Sequence, residues 1–139
     1  MPTVQKSIRV RENTFKEIEQ IARDTGKEFS VVANELLDEA VKVQRCPGIV
    51  FTEGTAGRRA RIAGTGIEVW EVIATYKSVN KDFSRLKKAY HWLTEQQIRS
   101  AVGYYRAYTE EVDHLIKQNE GLTKEHVHER HPFLIRGGR

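Results

Sequence analysis

Polar and apolar residues alternate from Gln5 to Arg11: Ile8 and Val10 fall on one side, and Gln5, Ser7, Arg9 and Arg11 on the other. A period of two predicts a short β-strand. The period then lengthens. Phe15, Ile18, Ile21 and Ala22 recur at three- and four-residue spacing and predict a helix, with Asn13 or Thr14 placed to cap it and Gly26 to end it. Ser30 offers a second N-cap, and Val32, Ala33, Leu36, Leu37, Ala40 and Val41 form a wide apolar stripe that carries a second helix to about Gln44. The expected order is strand, helix, helix. Nothing nearby is patterned to pair with the strand, and an unpaired strand leaves its backbone N–H and C=O groups without partners. A unit this small also keeps much of its apolar surface exposed. Both difficulties are met if a second copy of the chain supplies the other strand, which makes residues 1–45 a dimerisation module.

Composition shifts at Cys46. The stretch "CPGIVFTEGTAGRRARIAG" has the glycine, proline and threonine density of a linker followed by short extended segments, and places a domain boundary there. The residues up to Ile62 read as a short strand or extended arm, Gly64-Thr65-Gly66 as a turn, and Val69, Val72, Ile73 and Tyr76 as the inward stripe of a helix. A shorter helix is expected around Ser84 to Tyr90. Thr94 and Gln97 have the spacing of a capping box, after which Ile98, Ala101, Val102, Tyr105, Val112, Leu115 and Ile116 keep one helical period to about Asn119. Trp70 and Trp92 stand in apolar helical contexts and are read as packing aromatics.

A chain of 139 residues, 39% hydrophobic and 30% charged, holds one ordinary domain or two small ones. Its apolar runs are too short for a membrane span or a signal peptide, so a cytoplasmic location is expected. The single cysteine, Cys46, excludes an internal disulfide framework and a cysteine-based zinc site, and reads as a packing residue. The net charge of +4 arises after residue 45, because the first 45 residues hold eight basic and eight acidic side chains. Net charge therefore says little about nucleic acid; the face that the cations occupy says more. In a ribbon built from two paired strands, Ile8 and Val10 face the helices while Gln5, Ser7, Arg9 and Arg11 project outward, and such a ribbon fits the major groove of DNA. Gln5 and Arg9 carry donors and acceptors for base edges, Ser7 is short and adaptable, and the amides of the helix starting at Ser30 are placed to hold a phosphate. The competing reading is dimerisation alone, with Arg9 an ordinary solvated charge.

The stretch "KSIRVRENTFKEIEQIARDTGKEFSVVANELLDEAV" resembles the ribbon-helix-helix class of prokaryotic repressors and antitoxins. That resemblance implies base contacts by the outward strand residues, here Gln5, Ser7 and Arg9. Members often carry Gly-x-Ser/Thr-x-Ser before the second helix; "GKEFS" keeps Gly26 and Ser30 but has Glu28 in the middle. Residues 46 to about 107 resemble a second family, small prokaryotic VapB-like antitoxin domains of homeodomain-like or winged-helix type. The matching residues are Pro47-Gly48-Ile49, Arg61-Ile62, Gly64-Thr65, Ile67, Val69-Trp70, Tyr90 and Leu93-Thr94. Gly66, Glu68 and His91 stand where that pattern has arginine, proline and proline, so no role tied to the arginine carries over.

Candidate chemistry is sparse. Arg58, Arg59 and Arg61 cluster beside glycines and suit phosphate or an acidic partner surface as well as they suit a solvated loop. The carboxylates recur on polar helix faces, no Walker-type loop occurs, and no catalytic constellation stands out. His126, His128 and His131 lie close together without a cysteine or a well-spaced carboxylate to complete a metal site, so they read as part of a polar tail. In that tail Phe133, Leu134 and Ile135 form an apolar cluster between Arg130 and Arg136, expected either to fold onto the chain's own core or to dock on a partner. In antitoxins of the resembled kind, C-terminal segments bind and inhibit a toxin, usually a PIN-type ribonuclease.

The expected protein is mainly α-helical and not an enzyme, and it needs no cofactor or metal. Residues 1–45 form a ribbon-helix-helix module, 46–119 a small homeodomain-like or winged-helix domain with a long helix, and 120–139 a toxin-docking tail. It is expected to be a prokaryotic, cytoplasmic antitoxin that binds the operator of its own operon as a homodimer or higher oligomer. The alternatives are a stand-alone DNA-binding regulator without a toxin, and a metal- or nucleotide-responsive enzyme subunit built around the histidines.

Overall fold

Helix α1 (Glu12–Thr25) ends where Gly26 turns left-handed at φ 69°, and the Lys27 N–H closes back onto the Ala22 carbonyl at 3.1 Å. Only glycine adopts that conformation without strain, so the stop is written locally. This computed structural model describes residues 2–54 and 57–130. The chain divides into two compact units, Met1–Lys42 and Val43–Arg139.

In the first unit α1 is followed by α2 (Phe29–Arg45). The Phe15 and Phe29 rings lie 5.0 Å apart, and Lys27 pairs with Glu35 at 3.0 Å. Two expected caps are not used: α1 begins at Glu12, after an extended Arg11, and α2 begins at Phe29, its first turn closed by Val31 and Val32 N–H donation to the Glu28 carbonyl. Ser30 therefore lies inside the helix.

The expected order of elements is overturned. Residues 2–11 form no strand, and the only sheet among the described residues is a two-stranded antiparallel hairpin that comes after the first two helices. The chain is mainly helical, but it is not a strand followed by two helices. Alternation of Ile8 and Val10 gives a segment strand periodicity; a strand also needs a ladder, and no other segment in the described chain pairs with residues 2–11.

The second unit starts with that hairpin, β1 (Ile49–Gly54) and β2 (Gly57–Ile62), paired from Ile49↔Ile62 to Gly54↔Gly57. Four helices follow: α3 (Val69–Ser78), α4 (Phe83–Ala89), α5 (Glu95–Ala107) and α6 (Thr109–Arg130). Ile49 and Ile62 of the hairpin, Val69, Val72 and Ile73 of α3, Leu86 of α4, Ile98, Ala101 and Tyr104 of α5 and Val112 of α6 make one buried core. Gly48 holds φ 91°, and a Cβ placed there would come within 2.6 Å of Ser100 Oγ, so glycine is what lets the start of β1 lie against α5.

The long helix expected to run to Asn119 is interrupted. Tyr108 leaves helical geometry (φ −131°, ψ 51°), and α6 starts afresh at Thr109. This break lets α5 and α6 fold on one another: Tyr104 donates to Glu111 and Tyr105 donates to Asp113 across it. Gly121, expected to end the helix, lies within α6.

Candidate nucleic-acid interface

Helix α5 follows α4 through a short turn that is built from local chemistry. Asp82 caps α4 by accepting from the Arg85 N–H at 3.1 Å; the Tyr90 N–H closes onto Leu86 at 3.0 Å, and the Leu93 N–H onto Tyr90 at 3.0 Å. Buried Leu93 pins the turn to the core. Thr94 and Gln97 then form the reciprocal capping box, with bonds of 3.0 and 2.8 Å. Across this connection α4 packs on α3, and α5 packs on α3 and α6.

The two sides of α5 differ sharply. Ile98, Ala101, Val102, Tyr104 and Tyr105 are buried, whereas Gln96, Arg99, Gly103 and Arg106 are exposed and Ser100 is half-buried. Arg99 is steadied by Glu95, which accepts from Nε at 3.1 Å and also from Nη2, and its guanidinium lies 5.5 Å from the Phe83 ring centre. Its Nη1 donors stay available. Between α5 and Arg45-Cys46-Pro47 opens a cleft of about 300 Å³, lined among others by Arg45, Gln96, Arg99, Ser100 and Gly103. Arg45 stands 5.9 Å over the Tyr108 ring. Cys46 lies on the buried side, where desolvation raises its thiol above the ordinary 9.0, so it stays protonated and serves as packing. Burial, reinforced by Glu111, likewise holds the Tyr104 phenol far above its ordinary range. Neither group is a nucleophile near neutral pH.

The residues singled out from sequence fall in several places. Gln5, Ser7, Arg9 and Arg11 are all exposed along the irregular segment that precedes α1, and Ser30 is exposed in the first turn of α2. The arginine cluster is engaged within its own unit. Arg58 Nη2 donates to the Phe51 carbonyl at 3.1 Å; Arg59 reaches Glu68 at 3.5 Å and the Asn119 side-chain oxygen at 3.4 Å; Arg61 donates to the Gly66 carbonyl at 3.0 Å and lies 3.7 Å from Glu68. Glu68 also accepts from Trp70 Nε1 at 2.8 Å. Glu68, which stands where the resembled pattern has proline, is the meeting point of two arginines and a tryptophan. Trp92, expected to pack, is 60% exposed beside His91 and Tyr90. Arg130 ends α6, while His131, Phe133, Leu134, Ile135 and Arg136 lie outside the described residues.

The α5 face was missed in the sequence although its signal is present there. Gln96, Arg99, Ser100, Gly103 and Arg106 recur at three- and four-residue spacing opposite the apolar stripe. Among the described residues no group of three histidine, cysteine or acidic side chains is placed to hold a metal, and no helix is long and apolar enough to cross a membrane.

Residues 49–105, from the start of β1 nearly to the end of α5, match a family described as a protein of unknown function (DUF433). No curated protein and no solved structure matches the chain.

Proposed function

We propose that the chain is a dimeric DNA-binding regulator of the antitoxin type, acting in the cytoplasm on the operator of its own operon and neutralising a PIN-type ribonuclease toxin. The observation that carries this reading is the uncovered apolar face of the first unit. Ala22 and Val32 are its only buried side chains among the described residues, while Phe15, Ile21, Leu36, Leu37 and Val41 of the two helices are exposed, Leu37 by 57%. A unit of about forty residues with so small a core folds stably only when something covers that face. A second copy of the chain covers it with the same surface, and the two-fold arrangement brings together two basic arms carrying Lys6, Arg9 and Arg11. Paired cationic arms on a dimer suit a two-fold DNA site.

Resemblance of residues 46–107 to VapB-like antitoxin domains supports the toxin partner, with Arg130, Phe133, Leu134, Ile135 and Arg136 as its docking segment. An arginine of that segment would compete for the carboxylates that hold a nuclease's metal ions, and the apolar side chains would anchor it.

The test is a promoter-shift assay beside co-expression with the product of the neighbouring reading frame. Replacing Arg9 and Arg11 together by alanine is expected to weaken promoter binding about tenfold or more. Deleting residues 131–139 is expected to leave promoter binding intact and to abolish co-purification of the toxin. Equal promoter affinity of the arginine variant and wild type would remove the arms from the interface. Retained toxin binding after the deletion would remove the tail.

A further inference from the structure

We propose that the exposed face of α5 is a second DNA-binding surface, lying in the major groove of the duplex, with Gln96 and Arg99 at base edges and Arg45 and Arg106 on phosphates. This deepens the DNA-binding reading above and rests on it. Four observations converge on this face.

The first is shape. Helix α5 has 13 residues, about 20 Å of rod at 1.5 Å per residue, and one long side of it is open. A single helix fits the roughly 12 Å width of the major groove. The second is charge. From α4 through α5 the cations Arg85, Lys87, Lys88, Arg99 and Arg106 are opposed within those helices by Glu95 alone. Glu95 steadies Arg99 without consuming its Nη1 donors. Glutamine and arginine near the start of such a helix are the residue types that make paired hydrogen bonds to adenine and guanine.

The third observation is Gly103. It sits in the interior of α5, and a Cβ built on it meets nothing within 4 Å. No neighbour in the chain forbids a side chain there, and glycine weakens a helix interior relative to alanine. A bare position on an open helix face leaves the backbone accessible to close approach from outside the chain, as by the wall of a groove. The fourth is the cleft beside it. Its 300 Å³, lined by Arg45 and Arg99 among others, leave room for a phosphate beside the two guanidinium groups. An acidic protein is disfavoured as the occupant, because this face offers no large apolar side chain to anchor one. Trp92, in the turn before α5, is exposed and would be an anchor for a protein partner.

The experiment measures binding of the full chain to a labelled duplex of its own promoter and to a scrambled duplex, with melting temperatures recorded for each variant. Gly103→Leu is expected to keep or raise the melting temperature while reducing promoter affinity at least tenfold. Arg99→Ala and Gln96→Ala are expected to lose more affinity for the promoter than for the scrambled duplex, narrowing the ratio between them several-fold. Wild-type-like promoter binding by all three variants, alongside loss in the Arg9 and Arg11 variant, overturns the α5 surface and leaves the DNA-binding reading standing. Absence of duplex binding by the wild-type chain overturns both. If the α5 variants and Trp92→Ala lose a co-purifying acidic protein while keeping promoter affinity, the face belongs to that protein and the proposal fails.

Discussion

Arg59 of β2 lies 3.5 Å from Glu68, the residue just before α3, with the two side chains only 15% and 19% exposed. Arg61 reaches the other Glu68 oxygen at 3.7 Å, and Trp70 Nε1 donates to the first at 2.8 Å. A carboxylate in this position ties the hairpin to the first helix of the second unit. Removing it leaves two largely covered guanidinium groups without their counter-charge, the costly way to break such an arrangement. Glu68→Ala is therefore expected to lower the stability of the second unit by about 1–2 kcal/mol, and Glu68→Gln by less because the Trp70 bond survives. Denaturant unfolding followed by tryptophan fluorescence checks both, and equal stability of all three proteins would show that the cluster contributes nothing net.

The association surface makes a separate prediction. Leu37→Asp puts a charge in the centre of the exposed stripe of α2, where a second copy has to desolvate it. Dissociation to monomers and loss of helical signal from the first unit are expected together, since folding and association there form one equilibrium. The wild-type melting transition of that unit should rise with protein concentration. A concentration-independent transition, with Leu37→Asp as stable as wild type, would mean that no second copy covers the face.

Acid and alkali should each find one weak point at the contact between α3 and α6. The hydrogen bond from Lys77 holds the Asp113 carboxyl below its ordinary 3.8, with the Tyr105 hydroxyl adding to the effect, and the same bond raises Lys77 above 10.5. Because the Asp113 value is depressed on folding, its contribution is complete above pH 3.8 and is lost as pH falls through the lowered value. The Lys77 contribution has the opposite sense: it is complete below pH 10.5 and is lost as pH rises through the raised value. Both side chains are more than a third exposed, so solvent screening holds the effect to at most about 1 kcal/mol. Asp113→Asn should flatten both limbs of the stability–pH curve slightly, which thermal melts between pH 2.5 and 11 would resolve.

What sequence pattern revealed follows the range over which each signal acts. Gly26 as a helix stop, and Thr94 with Gln97 as a capping box, were legible because each motif closes within a few residues. Val69, Val72 and Ile73 were legible as an inward face because one helix carries them all. The break at Tyr108 escaped, since a one-residue interruption leaves the hydrophobic period on either side almost unchanged. The role of Glu68 escaped because its partners Arg59 and Arg61 reach it only after the chain has turned through Gly64. Alternation at residues 5–11 suggested a strand, but pairing is a property of two segments and cannot be read from one. Polar spacing along α5 was readable, but polar residues opposite an apolar stripe are the ordinary state of a surface helix, so the spacing by itself does not mark a site.

Recognition of DNA by a dimer of this chain is what we propose. Its most direct test is a titration of the full-length wild-type protein into a fluorescent duplex taken from upstream of its own reading frame, beside a scrambled duplex, at low and physiological salt. The expected result is saturation at two chains per site, affinity for the upstream duplex on the order of a thousandfold or more above the scrambled one, and a steep fall in binding as salt rises. Equal affinity for the two duplexes, or no saturable binding to either, would contradict it.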